Sequence, residues 1–561
     1  MNDLNIKNLQ TFFHTREGIV KAVDGVSFSI SKGEVLGLVG ESGSGKSVTC
    51  HSLLNLLPIP PAKIEGGEIF FRGNNLLQAS SKNVRSLRGK SISMVFQDPM
   101  SCLNPYMSVL EQVAEPLIIH RLVPTHKDAR EQAMEMLQRV GVDKIKDREN
   151  AYPHEFSGGM RQRAMIAMAL ITKPDLLLAD EPTTALDVTV QAKILNLLKS
   201  LCQELGTSIL FVSHDLGVVA EIADRVVVMY RGKVVEENST KELFTSPSHP
   251  YVKALIACRP TFETSVEKLP TVDDFMGQSP KPTPTAEVPI SKSSDLNSQP
   301  TWIQVKNLAV HFVQAESRKV IKAVDGVDLQ ISKGKTLGLV GESGSGKTTL
   351  GRAILRLAQI NSGEILWDGK DIAQINISEL LSFRKKMQII FQDPYASLNP
   401  RLTMEQTLTE PMKVHGIGAN QSERSNLAVE LLEEVGLESN HLKRYPHEFS
   451  GGQRQRICVA RALSTEPEFV VCDECVSAMD VSVQAQVLNL LHELQISRNL
   501  TYLFISHDLC VVRHMADDIA VMRSGRIEEF GKVEEICLRP KTSYTQELMD
   551  SIPRTSKSGI F

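Results

Sequence analysis

The amino-acid sequence predicts an α/β protein made of two copies of one domain, each built on a parallel β-sheet. One observation is that short apolar runs in each half end in glycine-rich, acidic or histidine-containing segments. This is typical of parallel strands with a site at their carboxyl ends. The other observation is an internal repeat. Residues 36–46 recur unchanged at 337–347, 96–99 at 391–394, 152–159 at 445–452 and 213–216 at 506–509.

Length and composition exclude several classes of protein. The 561 residues are ample for more than one domain. There are 62 Lys and Arg residues against 66 Asp and Glu, a net charge of −4. The chain therefore lacks the excess of positive charge that is typical of proteins that bind nucleic acid. No run approaches about 18 consecutive apolar residues, which excludes a transmembrane helix. The first residues lack a secretory pattern and the nine scattered cysteines fit reduced thiols, so we expect a cytosolic chain.

The repeat divides the chain into three parts. We predict a first domain at residues 1–260, a linker at 261–300 and a second domain at 301–561. The linker is rich in Pro, Ser and Thr and has no apolar periodicity, which favours a semi-extended segment.

Each half carries a glycine-rich motif directly after a predicted buried strand. The pattern G-x-x-x-x-G-K-[ST] predicts a loop whose backbone N–H groups and following helix terminus bind phosphates. The lysine adds a charge for the β and γ phosphates, and the next hydroxyl is a ligand for Mg²⁺. We therefore predict a ligand with β and γ phosphates, together with Mg²⁺, at both loops. The first phosphate loop comprises Gly40, Glu41, Ser42, Gly43, Ser44, Gly45, Lys46 and Ser47, and the second comprises Gly341, Glu342, Ser343, Gly344, Ser345, Gly346, Lys347 and Thr348.

Two acidic residues follow another apolar strand in each half. They are Asp180 and Glu181 in the first half and Asp473 and Glu474 in the second. At the carboxyl end of a central parallel strand, the Asp is suited to hold Mg²⁺ and the Glu to orient or deprotonate the attacking water. An acidic cap on the following helix is the alternative interpretation.

A histidine, His214 or His507, follows each aspartate by 34 residues, again just past a strand. A single Ser-His-Asp string is typical of a cap or turn, but its recurrence at the same interval favours contact with the terminal phosphate. Cys472 and Cys475 flank the second acidic pair with C-x-x-C spacing. Because no second cysteine pair lies nearby, we interpret them as part of the strand end rather than as a metal or redox site.

A Ser-Gly-Gly segment precedes a helical stretch in each half and by itself is a flexible N-cap. With the Phe before it and the Arg-Gln-Arg after it, the segment resembles the signature motif of ATP-binding cassette (ABC) ATPases, and the chain resembles a tandem ABC ATPase. The resemblance implies two P-loop NTPase (ABC-type) nucleotide-binding domains, each with a RecA-like core and a helical subdomain. The first signature comprises Ser157, Gly158, Gly159 and Met160, and the second comprises Ser450, Gly451, Gly452 and Gln453.

The resemblance further implies that each signature faces the γ-phosphate bound by the other domain, and that both composite sites hydrolyse ATP. It implies catalytic roles for Glu181, Glu474, His214 and His507, a Mg²⁺-sensing hinge at Gln97 and Gln392, and adenine stacking on Phe13 and Phe312. An ordinary core position is the alternative for each Phe. Met160 stands where the family usually has Gln. The first half keeps the family's Asp-Glu-Pro and Ala-Leu-Asp pattern at Pro182 and residues 185–187, whereas Cys475 and Met479 interrupt it in the second half. These departures argue against assuming equal rates of ATP hydrolysis at the two sites.

The tail segments that end the two predicted domains resemble the tails of the peptide, nickel and glutathione branch of ABC import ATPases. The first runs Ser-Pro-Ser-His-Pro-Tyr at residues 246–251, and the second, a weaker match, runs Lys-Thr-Ser-Tyr at 541–544. This resemblance implies the ATPase of a peptide or glutathione importer, peripheral at the cytoplasmic face of the bacterial inner membrane.

Its implied partners are two membrane permease subunits and an extracytoplasmic substrate-binding protein, with no nucleic acid. Dipeptides, oligopeptides, glutathione and nickel all stay open as cargo. A soluble tandem ABC ATPase acting on ribosomes or DNA is the alternative. A protein of that class would be expected to have a charged helical linker or a basic surface.

Overall fold

The two halves repeat one order of strands and helices. The computed structural model describes residues 2–15, 18–98, 102–142, 145–183, 188–262, 266–277, 301–313, 320–477 and 479–551. The strands of the first half are β1 (Asn2–Thr15), β2 (Gly18–Ser31), β3 (Val35–Val39), β4 (Ala62–Phe71), β5 (Asn74–Asn75), β6 (Ile92–Val95), β7 (Leu176–Asp180), β8 (Ser208–Ser213), β9 (Arg225–Tyr230) and β10 (Lys233–Ser239). Those of the second half are β11 (Thr301–Val313), β12 (Val320–Ser332), β13 (Thr336–Val340), β14 (Ser362–Trp367), β15 (Lys370–Asp371), β16 (Met387–Ile390), β17 (Phe469–Asp473), β18 (Thr501–Ile505), β19 (Asp518–Arg523) and β20 (Arg526–Lys532).

The helices lie between these strands and in the tails. The described α-helices of the first half and its tail are Lys46–Leu53, Ser81–Leu87, Val109–Ile119, His126–Arg139, Gly158–Leu170, Val188–Leu205, Leu216–Ile222, Thr240–Thr245, Pro250–Ala257 and Val272–Phe275. Those of the second half are Lys347–Ile354, Ile377–Lys386, Pro394–Ser397, Met404–Val414, Gln421–Glu434, Gly451–Leu463, Val481–Arg498, Leu509–Met515, Val533–Leu538 and Ser543–Asp550. Short 3-10 helices span Ile145–Arg148, Pro153–Glu155, Ser439–Lys443 and Pro446–Glu448.

A six-stranded sheet forms the centre of each half. Its order is β10-β9-β3-β8-β7-β6 in the first half and, correspondingly, β20-β19-β13-β18-β17-β16 in the second. The edge strands β10 and β20 are antiparallel to their neighbours, whereas β3, β6, β7, β8 and β9 pair in parallel. Strands β3, β7 and β8 are buried along their whole length, as expected for parallel strands covered on both faces. The predicted parallel α/β sheet is therefore confirmed.

A four-stranded antiparallel sheet packs beside each six-stranded sheet, in the order β2-β1-β4-β5 and again β12-β11-β14-β15. In each half, one apolar cluster joins this sheet to the first helix after the phosphate loop and to the six-stranded sheet. The phosphate loops are therefore anchored on both sides by buried side chains.

The predicted helical stretch at 109–140 consists of two helices, Val109–Ile119 and His126–Arg139. Ser108 caps the first helix and Thr125 forms a capping box at the second, as is common at helix starts. The apolar positions at the predicted helical spacing, among them Leu110, Val113 and Leu117, are buried. These helices pack against helix Gly158–Leu170, which gives the predicted helical subdomain.

The segment after the first domain differs from the semi-extended linker expected from residue 261. Leu269 and Val272 are buried, and a short helix spans Val272–Phe275. The backbone N–H of Leu269 donates to Asn489 Oδ1 at 2.9 Å, and Asn489 Nδ2 donates to Leu269 O at 2.8 Å. These two hydrogen bonds fix the segment to the second half although its surroundings are rich in Pro and Thr. Residues 263–265 and 278–300 of the predicted linker lie outside the described residues.

Across the described ranges, none of the helices has the length and apolarity needed to span a bilayer.

Candidate functional site

The first phosphate loop connects β3 to helix Lys46–Leu53. Gly45 has φ +103°, and a Cβ there would lie 2.2 Å from the carbonyl oxygen of Ala22, so only glycine fits. The buried Lys46 Nζ donates to Gly40 O at 2.7 Å and to Glu41 O at 2.8 Å. Because an ammonium group has three N–H donors, this arrangement leaves a donor for a phosphate oxygen.

The second phosphate loop repeats this geometry. Gly346 has φ +108°, and a Cβ would lie 2.0 Å from Ala323 O. Lys347 Nζ donates to Gly341 O and Glu342 O at 2.7 and 2.8 Å. The two loops are therefore built in the same way, as predicted from their sequences, which are identical except for Ser47 against Thr348.

A buried serine hydroxyl in each loop supports the fit to an anion. Among the described residues, Ser44 Oγ and Ser345 Oγ are buried without a hydrogen-bond partner. Unpaired buried polar atoms are rare in folded proteins. Each hydroxyl lies in a loop of backbone amides that suits phosphate oxygens, so the residues present fit a bound nucleotide.

The hydroxyl and aspartate predicted to bind Mg²⁺ are adjacent in both halves. Ser47 Oγ donates to Asp180 Oδ1 at 3.0 Å, and Thr348 Oγ1 donates to Asp473 Oδ1 at 2.7 Å. Burial raises the pKa of both aspartates, because it disfavours the charged carboxylate. Hard oxygen ligands in a buried anionic site fit Mg²⁺. Such a cation would offset the free-energy cost of burying the charged carboxylates.

The two predicted catalytic glutamates have an unusual backbone conformation. Glu181 has φ +46° and Glu474 has φ +48°, in the left-handed region that non-glycine residues seldom adopt. The N–H of Glu181 donates to Val212 O and that of Glu474 donates to Ile505 O, both at 3.0 Å. Such conformations are concentrated at functional sites, where surrounding contacts maintain them.

A glutamine and a histidine hold each glutamate side chain. In the first half, Gln97 Nε2 donates to Glu181 Oε2 at 2.9 Å, and His214 Nδ1 lies 3.2 Å from Glu181 Oε1. Burial lowers the pKa of His214, but the hydrogen bond and charge of Glu181, together with the charges of Asp215 and Asp480, raise it by more, so the net shift is upward. The structure thus brings together the predicted glutamine, glutamate and histidine of this half.

The second half holds Glu474 in the same way. Gln392 Nε2 donates to Glu474 Oε2 at 2.8 Å, and His507 Nδ1 lies 3.6 Å from the same oxygen. Burial raises the pKa of Glu474, but the hydrogen bond and charge of His507, together with the charge of Lys347, lower it by more, so the net shift is downward.

The signature serines are the N-caps of the helices that follow them. Ser157 Oγ accepts the N–H of Met160, and Ser450 Oγ accepts the N–H of Gln453, both at 3.3 Å. In the second signature the side chain of Gln453 also accepts the N–H of Ser450 at 3.0 Å, which completes a capping box. Met160 has no side-chain oxygen or nitrogen for this bond.

Residues of the second half contact the first phosphate loop directly. The N–H of Ser42 donates to Asp480 Oδ1 at 2.8 Å, and the Ser482 hydroxyl donates to the Glu41 carboxylate. At Gly452 of the second signature, a Cβ would lie 2.4 Å from Val483 Cγ1. The second signature therefore packs beside the segment that contacts the first phosphate loop. The matching segment of the first half, residues 184–187, lies outside the described residues.

The two candidate adenine-stacking residues differ in exposure. Phe13 is half-buried within β1, opposite Val20 and Ala62, whereas Phe312 is 48% exposed opposite Ile321. An exposed ring face is what stacking requires, so Phe312 has the more suitable position. Adenine stacking by either residue stays a prediction.

The cysteine pair of the second half is buried. The pKa of Cys472 is well above its usual value because of a hydrogen bond with Cys475 and burial, so it remains a thiol at neutral pH. Within the described ranges, the chain holds no group of three or more His, Cys, Asp or Glu residues arranged to bind a metal.

Sequence reasoning missed the contact role of Asp480 and Ser482. Asp480 follows Glu474 by the same interval at which Asp187 follows Glu181, and this recurrence could have indicated a site residue. Ser482 has no such signal.

Two protein-family profiles match the sequence of this chain. The ABC transporter profile matches residues 23–184 and 324–477, which together form more than half of the chain. The chain belongs to the ABC transporter family. The profile of the oligopeptide/dipeptide transporter C-terminal region matches residues 235–283 and 529–559. Both halves of this ABC protein thus carry the tail predicted from residues 246–251 and 541–544.

Similar proteins cover nearly the full chain. The chain is 45% identical to the peptidoglycan transport ATP-binding protein YejF of Agrobacterium fabrum, over 97% of this chain and 95% of that protein. It is 43% identical to the glutathione import ATP-binding protein GsiA of Pectobacterium atrosepticum and 42% identical to GsiA of Escherichia coli. These alignments cover 98% of this chain and 89% and 90% of those proteins. The predicted resemblance to fused ATP-binding proteins of importers is confirmed.

Proposed function

We propose that the chain is the ATP-hydrolysing, energy-coupling subunit of an importer for peptides or glutathione, with two ATP sites shared between its halves. The observation that carries the proposal is the contact of Asp480 and Ser482 with the first phosphate loop. A shared site makes nucleotide binding draw the halves together, which is what a transport ATPase needs to drive its partners. The relatives named for glutathione import and the match to the oligopeptide/dipeptide transporter C-terminal region support the cargo class.

In the proposed first site, Lys46 and the loop amides bind the β and γ phosphates. Ser47 and Asp180 hold Mg²⁺, which when bound neutralises charge on the phosphate oxygens. Glu181 accepts a proton from the attacking water while Gln97 and His214 keep its carboxylate in place. Residues 450–453 complete this site from the other half, and residues 157–160 complete the second site around Lys347 and Glu474.

Import requires partners in the membrane, and ABC import ATPases work on permease subunits. We propose two permeases and an extracytoplasmic binding protein, with this chain peripheral at the cytoplasmic face of the bacterial inner membrane. ATP binding closes the halves and hydrolysis releases them, so the permease pair alternates between two openings.

Reconstitution tests this function. The full chain is purified from membranes in detergent, its co-purifying chains are identified, and the complex is placed in vesicles with labelled glutathione or di- and tripeptides. We expect permease chains to co-purify and uptake to require ATP, with Glu181→Gln/Glu474→Gln as the inactive control. Co-purification with ribosomes or DNA in place of permeases would contradict the proposal.

A further inference from the structure

A tyrosine of each tail contacts the start of a phosphate loop. The hydroxyl of Tyr251 accepts the backbone N–H of Glu41, and the hydroxyl of Tyr544 accepts the N–H of Glu342, both at 3.2 Å. Both tyrosines are buried. The bond recurs in the two halves although His-Pro precedes one tyrosine and Thr-Ser the other. We propose that Tyr251 and Tyr544 are positioning residues that hold the phosphate loops in their nucleotide-binding shape, an inference that rests on the proposed ATP sites.

Each tail is fixed to its own half immediately before the tyrosine. The Glu236 carboxylate on β10 accepts the N–H groups of Ser248 and His249 at 2.9 and 2.8 Å. In the second half, the Glu529 carboxylate on β20 accepts the N–H groups of Lys541 and Thr542 at 2.9 and 3.2 Å. Carboxylates that accept backbone N–H groups form strong, charge-assisted bonds. The tyrosine hydroxyls are therefore presented from a rigid support.

Both sides of Glu41 are held. The carbonyl oxygens of Gly40 and Glu41 accept from Lys46 Nζ, and the N–H of Glu41 donates to Tyr251. Glu342 is held in the same way by Lys347 and Tyr544. Without the hydroxyl, this partly buried N–H would lose its acceptor, which favours other loop conformations. Binding of nucleotide would then have to restore the loop shape, so the apparent affinity would fall.

Glu41 also links the tail to the contact between halves. Its carboxylate accepts the Ser482 hydroxyl of the second half, and the tail helix Pro250–Ala257 packs against helix Val481–Arg498. In the opposite direction, Lys193 Nζ of the first half lies 3.8 Å from Glu547 Oε1 on the second tail helix. The tail helices thus lie between their own phosphate loop and the other half, where they are suited to maintain loop shape when the halves close.

The test uses the full chain with Tyr251→Phe and Tyr544→Phe, singly and together. Phe keeps the ring contacts, including those with Tyr230 at 4.3 Å and Arg523 at 4.6 Å, and removes only the hydroxyl. The matched control is Tyr502→Phe, because the Tyr502 hydroxyl is equally buried but donates to Leu491 O at 3.0 Å, away from both loops. For the double variant we expect the Kd for ATP and the KM of hydrolysis to rise about fivefold, the effect of one lost hydrogen bond per site.

We expect kcat to stay within about twofold and the control to keep its wild-type KM, because a merely structural loss lowers thermal stability without changing KM. Hydrogen exchange gives a second readout: Tyr251→Phe should accelerate exchange in residues 40–47 and leave 341–348 unchanged. Wild-type Kd and unchanged loop exchange in the folded variants would overturn the positioning role. Failure of the wild-type chain to bind ATP would instead contradict the proposed function.

Discussion

The two proposed ATP sites have closely similar geometry at the phosphate loop and at the catalytic glutamate, and they differ in their signature residues. Lysine-to-carbonyl distances are the same in both loops, and glutamine-to-glutamate distances differ by only 0.1 Å, at 2.9 and 2.8 Å. The signatures differ more. Gln453 closes a capping box around Ser450, whereas Met160 directs its sulfur to Arg148 Nη1 at 3.7 Å.

These differences fall together in one site. In the proposed arrangement, the signature with Met160 completes the site of Lys347 and Glu474, and Cys475 follows that same glutamate where the first half has Pro182. The site of Lys46 and Glu181 keeps Pro182 and receives Gln453. In a duplicated domain, the residues that depart from the family pattern can therefore all lie in one of the two shared sites. We expect the site of Lys46, which keeps the family pattern, to hydrolyse ATP faster.

Replacing both catalytic glutamates should have the largest effect. Glu181→Gln/Glu474→Gln should lower steady-state ATP hydrolysis by about 10²-fold or more, because a positioned general base contributes this much, while ATP stays bound. Of the single variants, Glu181→Gln should lose more activity than Glu474→Gln. Persistent hydrolysis in the double variant would contradict the assigned role, and equal residual rates would remove the difference between the sites.

Asn489→Ala tests the contact of the first tail with the second half. Leu269 would lose both partners of its buried backbone groups, so we expect about 3 kcal/mol of destabilisation, measured as a lower midpoint of denaturant unfolding. Asn440→Ala is the control, because its exposed side chain bonds Glu438 at 2.7 Å and its loss should cost less than about 0.5 kcal/mol. Equal shifts for the two variants would show that the tail contact adds no stability.

Exchanging the fourth signature residues should change the two sites in opposite directions. Met160→Gln can close the capping box around Ser157, a gain of about 1 kcal/mol at a helix start. In a Glu181→Gln background it should raise the remaining hydrolysis about two- to fivefold. Gln453→Met in a Glu474→Gln background should lower it by a similar factor. If both exchanges leave the rates unchanged, the signature difference has no kinetic consequence.

The two histidine–glutamate pairs should differ in their dependence on pH. The net pKa of His214 is raised, so its contribution to stability is complete below about pH 6.5, the value in an unfolded chain, and is lost as pH rises through the folded pKa. The stability difference between wild type and His214→Gln should therefore shrink above neutral pH. A difference that grows with pH would have the wrong sign.

The pKa of Glu474 is lowered, so its contribution is complete above about pH 4.3 and is lost as pH falls through the folded pKa. We expect the unfolding difference between wild type and Glu474→Gln to shrink only in acid. A loss of this difference between pH 6 and pH 8 would contradict the assigned shift.

Much of each site could be predicted because its residues occur in short motifs with a fixed strand–loop–helix context. Lys46 and His214 each follow a buried strand and Asp180 is the last residue of one, and adjacent parallel strands bring such positions together. The left-handed conformation of Glu181 could not be predicted, since a non-glycine residue gives no local signal for it.

Contacts between segments that are far apart in the chain also have no signal in the sequence. Ser42 and Asp480 are 438 positions apart and are brought together by the packing of the two halves. Tyr251 and Glu41 are 210 positions apart and are brought together by the folding of the first half. The tail motif around Tyr251 was recognised as a marker of a transport branch, but its contact with the phosphate loop depends on the docking of residues 248–249 to Glu236. Leu269 was missed because a single apolar residue in a Pro-rich segment has no periodicity.

The most direct test of the shared ATP site is a structure of the full Glu181→Gln/Glu474→Gln chain with Mg²⁺ and ATP. We expect the Ser450 hydroxyl and the N–H groups after it to lie about 3 Å from the γ-phosphate bound by Lys46. A γ-phosphate contacted instead by Ser157 of the same half, or one with no signature residue beside it, would contradict the account.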